Sequence, residues 1–126
     1  MPKVATLSVY LMALLYVVAG INHFVHPAFY EKMIANFLPD TALIVKMSGL
    51  AEITLGSFLL FPKTKRIAAY GVILLLIVVF PANINMALHP QLWPISPLFL
   101  LMRLLFQFVL IYWAYQISKA AKPIAL

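Results

Sequence analysis

The chain has 126 residues, 65% of them hydrophobic and only 10% charged, with mean hydropathy +1.03. A soluble domain is about half apolar and a quarter charged, so this composition excludes an ordinary water-soluble fold and reads as an integral membrane protein. Cysteine is absent, which removes dithiol exchange, iron–sulfur ligation and thiolate nucleophiles for this chain, and the net charge of +6 comes with no nucleic-acid-binding motif.

The length suits four short-looped helices with no separate soluble domain. Spans are expected at about residues 4–21, 41–61, 67–86 and 98–115, within a single domain over residues 1–126. The expected fold class is all-α: an integral membrane four-helix bundle, antiparallel, with a short interfacial helix between the first and second spans.

The first span follows Met1-Pro2-Lys3, a start that resembles a signal peptide. A retained helix is expected, because the apolar run is long and three more spans follow. Residues 22–40 (NHFVHPAFYEKMIANFLPD) mix aromatics with Glu31, Lys32 and two histidines, and Pro27 suits the first turn of a short helix lying at the membrane surface. The second span ends at Phe61-Pro62 and is followed by the basic loop PKTKR. In the third span Pro81 removes an amide donor, so a kink or unwound turn is expected. The connector HPQLWPISP carries Trp93 as an expected interfacial anchor, and Trp113 and Tyr115 form an aromatic belt at the far end of the fourth span.

Four spans put both termini and the basic loop on one side, with Lys3, Lys63, Lys65, Arg66, Lys119 and Lys122, against Lys32 alone on the other. The positive-inside rule then places both termini in the cytoplasm. Residues 19–27 (AGINHFVHP) and 82–90 (ANINMALHP) also match at five positions, including Asn22/Asn85, His26/His89 and Pro27/Pro90. A parallel repeat of two helical hairpins and a chance match are both compatible with that similarity.

The second span carries Glu52. At about 1.5 Å per residue it lies roughly 16 Å deep, close to the bilayer midplane. An ionisable group there is expensive unless neutral or paired, and faces the bundle interior. Gln107 in the fourth span falls at the same level, with Arg103 nearer the outer surface. Side chains lean toward their own helix N-terminus. His23, Asn83 and Asn85 therefore point into the membrane, while Glu52, Arg103 and Gln107 point outward. Gly49, Glu52 and Gly56 share one helical stripe, with Ser48 four residues before Glu52, and Tyr16, Gly20 and His23 form a matching stripe on the first span. The candidate pocket is Tyr16, Asn22, His23, Glu52, Asn83, Asn85, Arg103 and Gln107; Gly20, Gly49, Gly56 and Pro81 are candidate helix-packing positions.

Two readings of this set stand side by side. One is a polar pocket opening outward, with Glu52 and Arg103 as its charged pair. The other is that these groups satisfy one another and lock the bundle, with Glu52 bonded to Gln107 or Tyr16, and Arg103 snorkelling to the surface. His23 and His26 are three residues apart, a spacing that can ligate metal, but zinc signatures are absent and satisfied interfacial histidines are the expectation, with no metal.

The segments AGINHF, HPAFY, KMSGLAEITLGSFLLFPKTKRIAAYGVILLLIVVFPANINMA and RLLFQFVLIYWAY resemble the DoxX-like membrane proteins, related to the DoxD and MauE groups. The matching positions are Asn22, His23, Gly49, Glu52, Gly56, Pro81, Asn83 and Arg103. The resemblance implies a four-helix bacterial inner-membrane protein tied to quinone-linked or other membrane redox systems. A dithiol role suggested for MauE-like relatives is not carried over, because the cysteines are missing. The leading expectation is a non-enzymatic accessory subunit of a redox-linked inner-membrane complex, binding a small ligand or quinone in its polar pocket. No cofactor is required by the sequence, and the partners are the lipid bilayer, membrane or soluble redox proteins, or further copies of the chain, with no nucleic acid. The alternatives are an oxidoreductase or quinone-handling enzyme in its own right, and a small permeation or proton-relay unit.

Overall fold

The computed structural model describes residues 2–121, with side chains described from residue 6. The Lys3 side chain and Lys122, both used in the charge comparison, lie outside the described residues. The fold is all-α. Its elements are α1 (Pro2–Val25), α2 (Pro27–Ile34), α3 (Thr41–Phe58), α4 (Lys65–Leu88) and α5 (Pro97–Ala120), with a 3₁₀ turn at Pro90–Leu92. Four of these helices, α1, α3, α4 and α5, are long and apolar enough to cross a membrane. α1, α4 and α5 run several residues past the expected spans, and α3 stops at Phe58, short of residue 61.

Proline chemistry sets the breaks. A residue before proline is pushed out of the helical region. His26 (φ −126°, ψ 61°) ends α1 before Pro27, and His89 (φ −125°, ψ 57°) ends α4 before Pro90. Each proline then opens the next short element at its first turn, where no amide donor is needed. Pro97 does the same for α5, whose first turn is capped by Ser96 Oγ accepting from Leu98 N at 3.3 Å. Between α2 and α3, Asp40 takes a left-handed φ of 52° and turns the chain. The Thr41 hydroxyl donates to Glu31 Oε1 at 2.8 Å across that turn.

Two helix pairs form the body. α1 and α3 approach closely through glycines: a Cβ on Gly20 would lie 2.6 Å from the Gly49 carbonyl oxygen, and one on Gly56 3.0 Å from that of Ala13. Within lipid there is little hydrophobic drive between helices, so such close backbone packing is what holds them. α4 and α5 form the second pair, joined by an edge-on contact of Phe80 and Phe108 and by Arg66 Nε donating to the Ser118 carbonyl at 2.9 Å. The two pairs touch each other less extensively than their own helices do.

Apolar residues bury in two separate clusters. The cluster at the end of the bundle toward the start of α1 and the close of α5, labelled inner for its place in the chain's layout, gathers Val9, Met12, Ala13, Tyr16, Leu59, Ala68, Ala69, Val72, Leu76, Ala114 and Ile117. The outer one gathers Met33 and Ile34 of α2 with Val45, Met86, Trp93 and Leu100. Large hydrophobics elsewhere on the long helices are exposed, among them Leu14, Leu50, Leu74, Val78 and Tyr112, as expected of a lipid-facing surface.

Two local expectations are corrected. Pro81 does not pack between helices: it is exposed, and α4 stays helical through it without an unwound turn. The missing amide is tolerated because only one internal hydrogen bond is lost near the end of a long helix. Trp93 is buried rather than anchored at an exposed interface, its ring edge-on to Phe29 at 5.1 Å with the Lys32 ammonium 4.7 Å from its centroid.

Candidate functional site

Between the two apolar clusters lies a polar layer. It contains two cavities of about 160 Å³ and 210 Å³ that share Glu52, Val79, Asn83 and Arg103 as common wall. The smaller is lined further by His23, Tyr30, Met33, Ile34 and Ser48, so α2 forms part of its wall. The larger is lined by Tyr16 and Gln107 together with Leu15, Leu75, Leu76, Phe106 and Leu110.

The stripe of small residues explains how Glu52 comes to face this layer. With Gly49 and Gly56 pressed on α1, the same face of α3 turns Glu52 toward His23 and Tyr16 rather than toward lipid. Glu52 Oε2 lies 3.1 Å from His23 Nδ1. The Nδ1 proton, however, donates along the helix to the Ala19 carbonyl at 2.8 Å, so Oε2 is a close neighbour without a well-directed hydrogen bond. The His23 ring is fixed from above by stacking on Tyr30, with centroids 3.8 Å apart and planes 15° from parallel. Tyr30 Oη in turn accepts from Asn22 Nδ2 at 2.6 Å.

The expected Glu52–Arg103 pair does not form; the ion-pair neighbour of Glu52 is His23. Arg103 instead donates from Nη1 to Met86 Sδ at 3.1 Å and lies 6.0 Å from the Phe29 ring centroid. Sulfur is a weak acceptor, so the guanidinium keeps most of its donor capacity. Nor do Glu52, Gln107 and Tyr16 satisfy one another. Among the described residues, four buried oxygens, Tyr16 Oη, Glu52 Oε2, Asn83 Oδ1 and Gln107 Oε1, have no hydrogen-bond partner. All four residues line the larger cavity.

Tyr16, Glu52, Asn83, Arg103 and Gln107 thus come together around one chamber, and His23 joins them through the smaller cavity. Asn22 and Asn85 line neither. Asn22 holds Tyr30, and Asn85 fastens α2, donating from Nδ2 to the Met33 carbonyl at 2.8 Å and exchanging amide hydrogen bonds with Asn36. Gly20, Gly49 and Gly56 sit at the α1–α3 contact. Tyr30 is the wall residue that sequence reasoning left among the connector aromatics; its position seven residues after His23 was the available signal. Met86 as the partner of Arg103 had no such signal, since a thioether acceptor is recognisable only in the fold. Among the described residues, no three of His, Cys, Asp and Glu gather in a way that could hold a metal ion.

Neither the curated proteins nor the solved structures contain a match to the chain. The resemblance to DoxX-like proteins is overturned, because the family model that matches is a different one, and the redox-linked role it implied loses that support. The segments that suggested it, SGLAEITLG above all, are accounted for by close helix packing at Gly49 and Gly56, a requirement common to many membrane bundles. The match spans residues 12–118, and the chain belongs to the family described as Domain of unknown function (DUF8561).

Proposed function

We propose that this protein is a membrane-embedded binding component whose polar chamber holds a small ligand with a hydrogen-bonding head. The observation that carries this reading is the set of four unpartnered buried oxygens lining one 210 Å³ cavity. Each buried acceptor left unsatisfied costs about 1–3 kcal/mol, with no bulk water in hydrocarbon to offset it. Four in one place are hard to account for as bundle-locking groups, since locking requires that they bond to one another. Binding is favoured over turnover because the hydroxyl-bearing residues on the two cavity walls, Tyr16, Tyr30 and Ser48, make no hydrogen bond to His23 that would activate them.

The same reading orients the bundle. Antiparallel α1 and α3 are supported by the glycine contacts: Gly20 meets Gly49 while Ala13 meets Gly56, so moving inward on one helix moves forward on the other. Ser8 against Trp113, with Trp113 Nε1 donating to Ser8 Oγ at 2.6 Å, supports the same relation for α1 and α5. We place α2 at the outer interface of a bacterial inner membrane, with both termini cytoplasmic, on the charge asymmetry of the loops.

The test is native mass spectrometry of the protein released from phosphatidylcholine nanodiscs. Retention of a small molecule should fall in Gln107→Leu and Glu52→Gln and be kept in Leu105→Ala, which alters an exposed residue of α5. Equal retention in all three, or none in the parent, would sink the reading. A proton relay is the second reading, favoured by the 3.1 Å approach of His23 to Glu52. It requires that Glu52→Gln abolish proton flux into proteoliposomes carrying the parent protein.

A further inference from the structure

We infer that the chamber takes the head of a single-chain amphiphile, an uncharged polyol such as a monoacylglycerol, which enters sideways from the bilayer between α1 and α5. This rests on the binding role proposed above and specifies its ligand and its route.

The route follows from the cavity walls. Leu15 of α1 and Phe106 of α5 line the larger cavity, yet they are 41% and 51% exposed. Gln107, the next residue after Phe106, is only 4% exposed and points its unpartnered oxygen inward. One step along α5 therefore passes from the lipid surface to the chamber. Toward the inner end the gap is shut by the Trp113–Ser8 hydrogen bond and by Met12, Ala114 and Ile117 of the inner cluster. Leu15 and Phe106 each lie seven residues from that bond on their own helices, so they stand at one level, roughly 10 Å above it. The opening thus reaches the hydrocarbon and not the inner surface. Its other walls, Leu75, Leu76, Val79 and Leu110, are apolar and suit an acyl chain.

The size and charges specify the head. A cavity of 210 Å³ is below the roughly 300–1,000 Å³ of sites that enclose a whole drug-sized ligand, so it fits a head and leaves the tail in the gap. Glu52 and Arg103 both line it without forming an ion pair. An ammonium head meeting Glu52 would also meet the Arg103 cation, and a carboxylate meeting Arg103 would meet Glu52 Oε2. A polyol has neither conflict. The two hydroxyls of a 1-acylglycerol donate to Glu52 Oε2 and Gln107 Oε1, and its oxygens accept from Arg103 and the Tyr16 hydroxyl.

The experiment uses a 1-acylglycerol with a diazirine in its chain, photolysed with the full-length protein in phosphatidylcholine nanodiscs and read by mass spectrometry of the adducts. Cross-links are expected on α1 and α5 around Leu15 and Phe106. 1-Oleoylglycerol should compete at least tenfold better than oleylamine or oleic acid. Gln107→Leu, an apolar replacement that leaves no unpaired group, should weaken labelling roughly fivefold to tenfold, the effect of one lost hydrogen bond. Leu15→Trp, which fills the gap, should abolish it, while Leu105→Ala leaves it intact. Oleylamine or oleate competing as well as the glyceride in a Gln107-dependent way would overturn this head chemistry and leave the chamber as a binding site. Labelling unaffected by Leu15→Trp would overturn the route. If no probe's labelling responds to Gln107→Leu, both the inference and the binding role fall.

Discussion

The inner third of the bundle and the layer above it are built from the same four helices but solve opposite problems. In the inner cluster, Met12, Leu59, Ala69, Val72 and Ala114 are fully buried in one apolar group. Two turns further out, the same helices hold Glu52, Asn83, Arg103 and Gln107 around open volume, with four oxygens unpartnered. A helix bundle can clearly close itself where small and apolar residues face inward. It does not close in this way around Glu52, as the proposed binding role requires. Stability should therefore respond in opposite directions to substitutions in the two regions.

The largest loss is expected where backbones touch. Gly49→Leu would drive a side chain into the backbone and His23 Cβ of α1, since even a Cβ at Gly49 would lie 2.7 Å from His23 Cβ. About 3 kcal/mol or more should be lost, read as a fall in folded yield and thermal midpoint in nanodiscs. Next comes Met12→Ala, which empties a fully buried position of the inner cluster and should cost about 2–5 kcal/mol in the same measurement. Gln107→Leu should instead stabilise the ligand-free protein by about 1 kcal/mol, read as a higher midpoint, because it removes an unpartnered buried amide oxygen. A loss comparable to that of Met12→Ala would erase the distinction between the two regions. The smallest effect is expected at Asn36→Ala. It removes one partner of Asn85, which keeps its bond to the Met33 carbonyl, so α2 should loosen by less than about 1.5 kcal/mol, visible as faster hydrogen exchange in α2.

Much of this contrast was legible in the sequence. Hydropathy located the four long helices, though it ended α1 and α4 a few residues before the His-Pro pairs where they stop, and the Gly49–Gly56 spacing identified the α3 face that meets α1. Depth counting set Gln107 level with Glu52 and put Arg103 and Asn83 nearer the outer end; all four line one cavity. What failed were the pairings within that layer. Depth along a helix is fixed by a constant rise, but the partner of a long side chain depends on rotation and tilt, which a single sequence does not encode. Arg103 thus reached Met86 instead of Glu52, and Glu52 came to lie beside His23. Asn85 shared its depth with Asn83 yet turned outward to Asn36 and α2, since residues two apart in a helix face different ways. The DoxX-like resemblance failed for a related reason: segments rich in small and apolar residues report how helices pack before they report ancestry.

The central claim is that the oxygens of Tyr16, Glu52, Asn83 and Gln107 are held apart for a ligand. An experimental density map of the protein purified in native membrane fragments tests it most directly. The expected result is continuous density in the cavity they line, in hydrogen-bond contact with Gln107 Oε1 and Glu52 Oε2 and extending between Leu15 and Phe106. A chamber closed by direct hydrogen bonds among Gln107, Asn83 and Glu52, or filled by ordered water alone, would contradict it.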